Sequence, residues 1–197
     1  MRMAYKRMLK VASPYLKQGR PADYQHTKFL LNLAPGIVRK EKLDESIIIP
    51  ALIFHDAGWG LLPKNLLQNY HSVLARRAHM RAGAKLAKRL LRELKYPSRK
   101  IKRIAHLVAV HDYQSSGLNK TLSAPDELVL AGIDFLWRAT KNGFKSDLRE
   151  SLRSPREQLK YLRVLALERR MDCFKFLYKT LKRLLADRSK ELQKKSR

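Results

Sequence analysis

The sequence predicts an all-α fold, a helical bundle with an additional helical segment at its C-terminus. Three observations carry that expectation. Glycine and proline are scarce, eight of each in 197 residues, and they stand where helices should start or stop. Between them, apolar residues recur at spacings of three and four, the period of one face of an α-helix. One stretch, Ile47 to Phe54, has no polar side chain and runs straight into His55 and Asp56. A run of that length is buried. A carboxylate and an imidazole at its end need partners there, because an unpaired buried charge costs several kcal/mol or more.

Taken in order, the first helix is expected from about Tyr5 to Lys17, and the second from near Ala22 to a break at Pro35-Gly36. The third runs from Asp44, a suitable N-cap, through Ile47–Phe54 to His55 and Asp56. Its apolar core alone would also suit a strand; the helical flanks favour a helix. Gly58 and Gly60 end it, Pro63 starts the next turn, and a short helix follows at Asn65–Asn69. The fifth helix, Ser72 to Lys95, sets His79, Gly83, Leu86 and Leu90 against a basic face of Arg77, Arg81, Lys85, Lys88, Arg92 and Lys95. After Pro97 the sixth carries Ile101, Ile104, Val108 and His111. A polar loop covers Gln114–Ser123. Pro125 then opens APDELVLAGIDFLWRAT, apolar around most of its circumference and so central. A loop at Asn142-Gly143 precedes a long, bent helical segment from Ser154-Pro155 to about Leu192. Its packing stripe is Leu159, Leu162, Ala166, Phe174, Leu177, Leu181 and Leu184, a setting in which Cys173 is inert and Phe174, Phe176 and Tyr178 are core. Residues 1–150 form one helical domain, and residues 151–197 a basic extension packed on it.

Forty-three lysines and arginines against 17 acids give a net charge of +26 and a pI near 10.5. Such a surface attracts phosphates, nucleic acid or anionic lipid. The excess is spread, +16 over residues 1–150 and +10 over 151–197, so a basic tail alone does not explain it. A single cysteine rules out an internal disulfide and fits a reducing cytosol. The basic N-terminus is an amphipathic helix rather than a signal peptide, and no apolar stretch is long enough to span a membrane. A cytoplasmic location follows as the expectation.

Several ionisable residues stand where the helical pattern wants an apolar one. His26 continues Leu30 and Leu33; His55 and Asp56 end the apolar run; His79 leads the apolar face of the fifth helix; His111 ends that of the sixth. Asp134 sits in the middle of the seventh. Each alone has an ordinary explanation: a hydrogen-bonded core histidine, an Asp134–Arg138 pair, a helix-terminal Asp56. Six inward ionisable residues on five helices converge more economically on a metal. Imidazole and carboxylate together suit divalent manganese, iron, nickel, zinc or cobalt.

His26, His55-Asp56 and the distant Asp134 resemble the H…HD…D signature of the HD-domain metal-dependent phosphohydrolase superfamily. The segments HDAGWGLLPKNLL, HMRAGAKLAKRLL, IKRIAHLVAVHDYQ and LAGIDFLWRAT resemble further elements of that family, from about Asp23 to Thr140. The resemblance implies an HD-domain-like bundle. It also implies that His26, His55, Asp56 and Asp134 ligate one divalent ion (manganese, iron, nickel, cobalt, zinc or magnesium). His79 and His111 match positions that bind a second metal in one branch and act on the substrate phosphate in others. His106 is a rival for the last of these, but it lies two residues from both Ile104 and Val108 and so points off the buried face. Trp59 stands where the family commonly has a lysine, a phosphate contact that is lost or passes to Lys64. The GYP-type loop of cyclic-dinucleotide phosphodiesterases is absent from HDYQSSGLNK.

The function so implied is hydrolysis of a phosphate ester or anhydride of a nucleotide through metal-activated water. Asp56, His79 and His111 would carry the chemistry, and Lys64, Arg76 and Arg77 would contact substrate phosphate. The rival is a basic nucleic-acid- or polyanion-binding protein on an HD scaffold with little catalysis. The filled ligand set favours the enzyme and the charge favours the binder. Expected partners are a phosphorylated small molecule or nucleotide, nucleic acid from the net charge, and a second copy of the chain through the C-terminal helix.

Overall fold

The computed structural model describes residues 2–113 and 122–195. Every regular element among them is helical, as the sequence predicts. Most of the loop expected at Gln114–Ser123 and the end of the KKSR tail lie outside the described residues. The chain forms two compact units, residues 1–130 and 131–197.

In the first unit, α1 (Met3–Gln18), α2 (Asp23–Lys40), α5 (Val73–Glu93) and α6 (Ser98–Val110) pack around the short central helix α3 (Glu45–Phe54). A 3-10 turn over Ala57–Leu61 follows α3 and lies against α1 and α5, and α4 (Lys64–Gln68) leads to α5. Residues Ile48 to Phe54 are all buried. Asp44 caps α3 by accepting from the Ser46 N–H. Pro50 lies inside α3 and has no N–H for the Ser46 carbonyl four residues earlier. The Tyr96 hydroxyl donates to that carbonyl instead, at 2.6 Å.

α2 does not break at Pro35-Gly36 but continues to Lys40. Proline inside a helix costs about 3 kcal/mol. Ile37 and Val38 beyond it are both buried, and burial of such side chains gives roughly 1.5–3 kcal/mol each, enough to offset the break.

α7 (Pro125–Phe135) crosses from the first unit into the second. Its residues 128–133 are buried without interruption, in keeping with a central helix. A 3-10 turn over Leu136–Ala139 follows, then α8 (Lys141–Glu150). α8 replaces the expected loop at Asn142-Gly143. Thr140 caps it by accepting from the Gly143 N–H at 3.0 Å. Gly143 stands there for space: a Cβ would meet the Trp137 carbonyl oxygen at 2.1 Å. The long C-terminal segment is two helices, α9 (Pro155–Glu168) and α10 (Lys175–Lys195), separated by Arg170 in the left-handed region (φ 55°) and a 3-10 turn at Met171–Cys173. Leu185, rather than Leu184, is the fully buried member of the stripe on α10. Cys173 is exposed, not embedded in the apolar stripe, because the break lifts it from the helical face.

Candidate metal centre

The centre assembles where α3 ends. The apolar run carries His55 and Asp56 to 0% and 3% exposure. His55 Nδ1 lies 2.8 Å from the Leu52 carbonyl oxygen. A carbonyl only accepts, so Nδ1 bears a proton and Nε2 is the nitrogen turned to the centre. That nitrogen faces Asp56 Oδ2 at 3.2 Å. His111, at the C-terminal end of α6, repeats the arrangement. Its Nδ1 donates to the Val108 carbonyl at 2.8 Å, and its Nε2 stands 3.4 Å from His79 Nε2 and 3.8 Å from Asp56 Oδ1.

The two oxygens of Asp56 serve two sides. Oδ2 meets His55, His26 Nδ1 at 3.3 Å and Arg20 Nη2 at 2.7 Å. Oδ1 accepts from Trp59 Nε1 at 3.1 Å and faces His111 and His79, the latter at 3.9 Å. Burial pushes the Asp56 carboxyl up. The Arg20 guanidinium, the His55 ring and hydrogen bonds from His111 and His26 outweigh it and hold the group well below the usual carboxylate range. Burial, with the neighbouring His111, holds His79 well below the usual histidine value, so its ring is neutral.

These facts test whether a divalent cation fits. Imidazole nitrogens of His55, His79 and His111 surround the two oxygens of one charged, buried carboxylate at 3.2–3.9 Å. Imidazole and carboxylate in one buried cluster form a donor set that suits a divalent cation. Histidines that donate their second nitrogen to a backbone carbonyl, as His55 and His111 do, are oriented as metal ligands usually are. Ligand atoms of Asp56, His79 and His111 lie within 4.8 Å of one another. The residues present fit the ion.

Arg20 and Asp23 also belong to the centre. Arg20 lies between α1 and α2, and both its Nε and Nη2 reach Asp23 Oδ1 at 2.8 Å, while Nη2 also reaches Asp56. Burial pushes the Asp23 carboxyl up to about 6, and the Asp56 charge adds to the push; the Arg20 guanidinium only partly offsets them. Of the two carboxylates that share Arg20, Asp56 keeps its charge more firmly. Sequence inspection passed over this pair. The signal was the three-residue spacing of Arg20, Asp23 and His26, which continues the His26 face backward.

Trp59 is fully buried and stacks on His79, with ring centroids 3.9 Å apart and planes 10° from parallel. Arg20 lies 4.8 Å over the Trp59 ring. The residue that departs from the family pattern therefore fixes His79, Asp56 and Arg20 together. Gly58 permits the approach: a Cβ there would meet the His79 carbonyl oxygen at 2.0 Å.

Asp134 is half-buried on α7, in the second unit. Arg138, its alternative partner from the sequence, donates from Nε to Asp147 at 2.7 Å. Lys64 is exposed on α4. Arg76 pairs with Asp112 at 2.6 Å, and Arg77 is half-buried one residue further on. His106 points off the buried face, as its periodicity requires, and bonds Glu127 at 2.7 Å. A groove of about 750 Å³ is lined by Asp44, Arg99, Lys102, His106 and their neighbours and shares no lining residue with the centre.

A helical domain that gathers buried histidines about one aspartate has the architecture of a metal-binding hydrolase. The model of the HD domain family matches residues 23–167, and the chain belongs to that family, which points to a metal-dependent hydrolase. No curated protein and no solved structure matches it. Among the described residues no helix is long and apolar enough to cross a membrane.

Proposed function

We propose that the protein is a metal-dependent phosphohydrolase that cleaves a phosphate ester or anhydride of a nucleotide. The observation that supports this best is the two-sided Asp56 carboxylate, with His26 and His55 on one oxygen and His79 and His111 on the other. His26, His55, Asp56 and Asp134 would hold the ion. A bound divalent ion polarises a phosphoryl oxygen and lowers the pKa of water at neutral pH.

The remaining roles follow from the side chains. His79, held neutral by burial, resists protonation and offers a lone pair to an ion. His111 is oriented by Val108 so that Nε2 faces the same space. Arg20 spends Nε and Nη2 on Asp23 and Asp56, and its Nη1 protons have no protein partner among the described residues. A guanidinium fixed in this way suits a phosphoryl oxygen, since its remaining donors need no reordering. Arg76, Arg77 and Lys64 are further candidates for the outer phosphates. Turnover of a nucleotide panel with added manganese, read as phosphate and pyrophosphate release beside Asp56→Asn, tests the proposal. Release that vanishes in the variant is expected. Absence of release from every nucleotide by the metal-loaded wild type would overturn it.

A further inference from the structure

We propose that the helical hairpin formed by α5 and α6 is a docking surface for the phosphate backbone of nucleic acid. Between residues 73 and 110 the chain carries 12 lysines and arginines and a single acid, Glu93. Arg81, Lys85, Lys88, Arg92 and Lys95 follow one another at spacings of four and three along α5 and just past its end, and Arg99 continues them at the start of α6. All six are exposed. With a rise of about 1.5 Å per residue, the α5 cations recur roughly every 4.5–6 Å along the helix.

Folding does not require this line. The opposite side of α5, with His79, Gly83, Leu86 and Leu90, is the one that packs. Like charges three and four residues apart on a helix repel, at about 0.2–0.5 kcal/mol per pair. The one acid, Glu93, stands 3.9 Å from Arg89, with both side chains more than half exposed. The first turn of α6 has no acid, although a helix N-terminus already carries positive partial charge and favours one. Other hairpin cations do have internal partners: Arg76 has Asp112, Lys100 has Asp44, and Arg103 has Asp126 and Glu127. The hairpin thus separates cations used to hold the fold from a solvent-facing line that disfavours it until a polyanion arrives.

The chemistry favours nucleic acid over a lipid surface. A helix that binds in a membrane interface buries an apolar face in it. The apolar face of α5 is taken up by the protein core, and the exposed line carries no large apolar residue. The one aromatic residue within it, Tyr96, is half-buried and its hydroxyl is held by the Ser46 carbonyl, so bases are not stacked and recognition is of the backbone, independent of sequence. This inference does not rest on the hydrolase reading.

The test is fluorescence anisotropy of the full chain with a labelled 20-base-pair DNA duplex and its RNA counterpart, over a series of salt concentrations. Six phosphate contacts give a log–log slope near −5, so affinity should fall about a thousandfold between 50 and 200 mM salt. The variant R81E/K85E/K88E/R92E should bind at least tenfold more weakly at 50 mM, with a slope shallower by roughly 3–4. A second variant, K179E/K182E/R183E/K190E, makes the same charge change on exposed positions of α10 and should lose much less. Circular dichroism confirms that each variant is folded, and phosphatidylserine vesicles are titrated in parallel. Three results would each overturn the proposal: no binding to either duplex at 50 mM, equal losses in the two variants, or a hairpin-dependent interaction with vesicles but not with duplexes.

Discussion

Around Asp56 and around Asp126 the first unit assembles the same kinds of side chain, carboxylate, histidine and arginine, with very different access to water. At Asp56 every partner but Arg20 is buried, and Arg20 itself is only 24% exposed. At Asp126, Arg103 is 32% and His106 38% exposed, and these two line an open groove with Asp126. The lesson is that residue type does not mark a functional cluster; burial does. In the groove, water screens each charge and an ion pair is worth about 0–1 kcal/mol. In the core each group must be matched, and one missing partner leaves a charge stranded.

The largest expected effect is at the carboxylate itself. Asp56→Asn should remove bound metal, measured by elemental analysis, and lower hydrolysis more than about a hundredfold. Next comes Arg20→Gln, which strands Asp23 and Asp56 together. It should destabilise the metal-free protein by about 3 kcal/mol in urea titration. Added manganese should recover part of that loss, because ion binding favours the folded state. Gly58→Ala should cost roughly 1–3 kcal/mol or more by the same titration, since its Cβ would overlap the His79 carbonyl. The smallest effect belongs to the exposed cluster. Arg103→Ala should cost no more than about 1 kcal/mol and leave metal content unchanged. A loss at Arg103 as large as that at Arg20 would break the comparison.

A pH series sharpens it further. Burial raises the Glu127 carboxyl, but the hydrogen bonds from His106 and from the Ser123 and Ala124 N–H groups outweigh it and depress the group below its ordinary value. Its contribution to stability is therefore present above that ordinary value and is lost as the pH falls through the depressed one. Glu127→Gln should remove this part of the acid sensitivity, seen as a flatter melting temperature below about pH 4.5.

Much of this was legible in the sequence because burial leaves a periodic trace. The run before His55 and the faces leading to His26, His79 and His111 all pointed inward, and the structure buries all four histidines. What was not legible depended on contacts distant in sequence. Pro35 reads locally as a break, and only the burial of Ile37 and Val38 keeps α2 intact. Gly143 reads as a loop, yet it is the packing partner of Trp137. Arg20 lies in a polar stretch that resembles any exposed turn; its bond to Asp56 crosses 36 residues and has no local signature. Trp59 was visible as a departure from the family pattern, but its stacking on His79 was not.

The bond from Tyr96 to the carbonyl that Pro50 leaves free also bears on the order in which the chain is made. That carbonyl is completed from 50 residues downstream, and Asp56 meets His111 after a similar interval. During synthesis α3 is finished long before the groups that satisfy it emerge. An apolar segment with an open carbonyl and a charged end must then wait through the whole of α5 and α6 before it can be enclosed. Non-local contacts of this kind slow folding, because loops must close before they are rewarded. The centre therefore cannot be completed on the growing chain until the sixth helix has emerged.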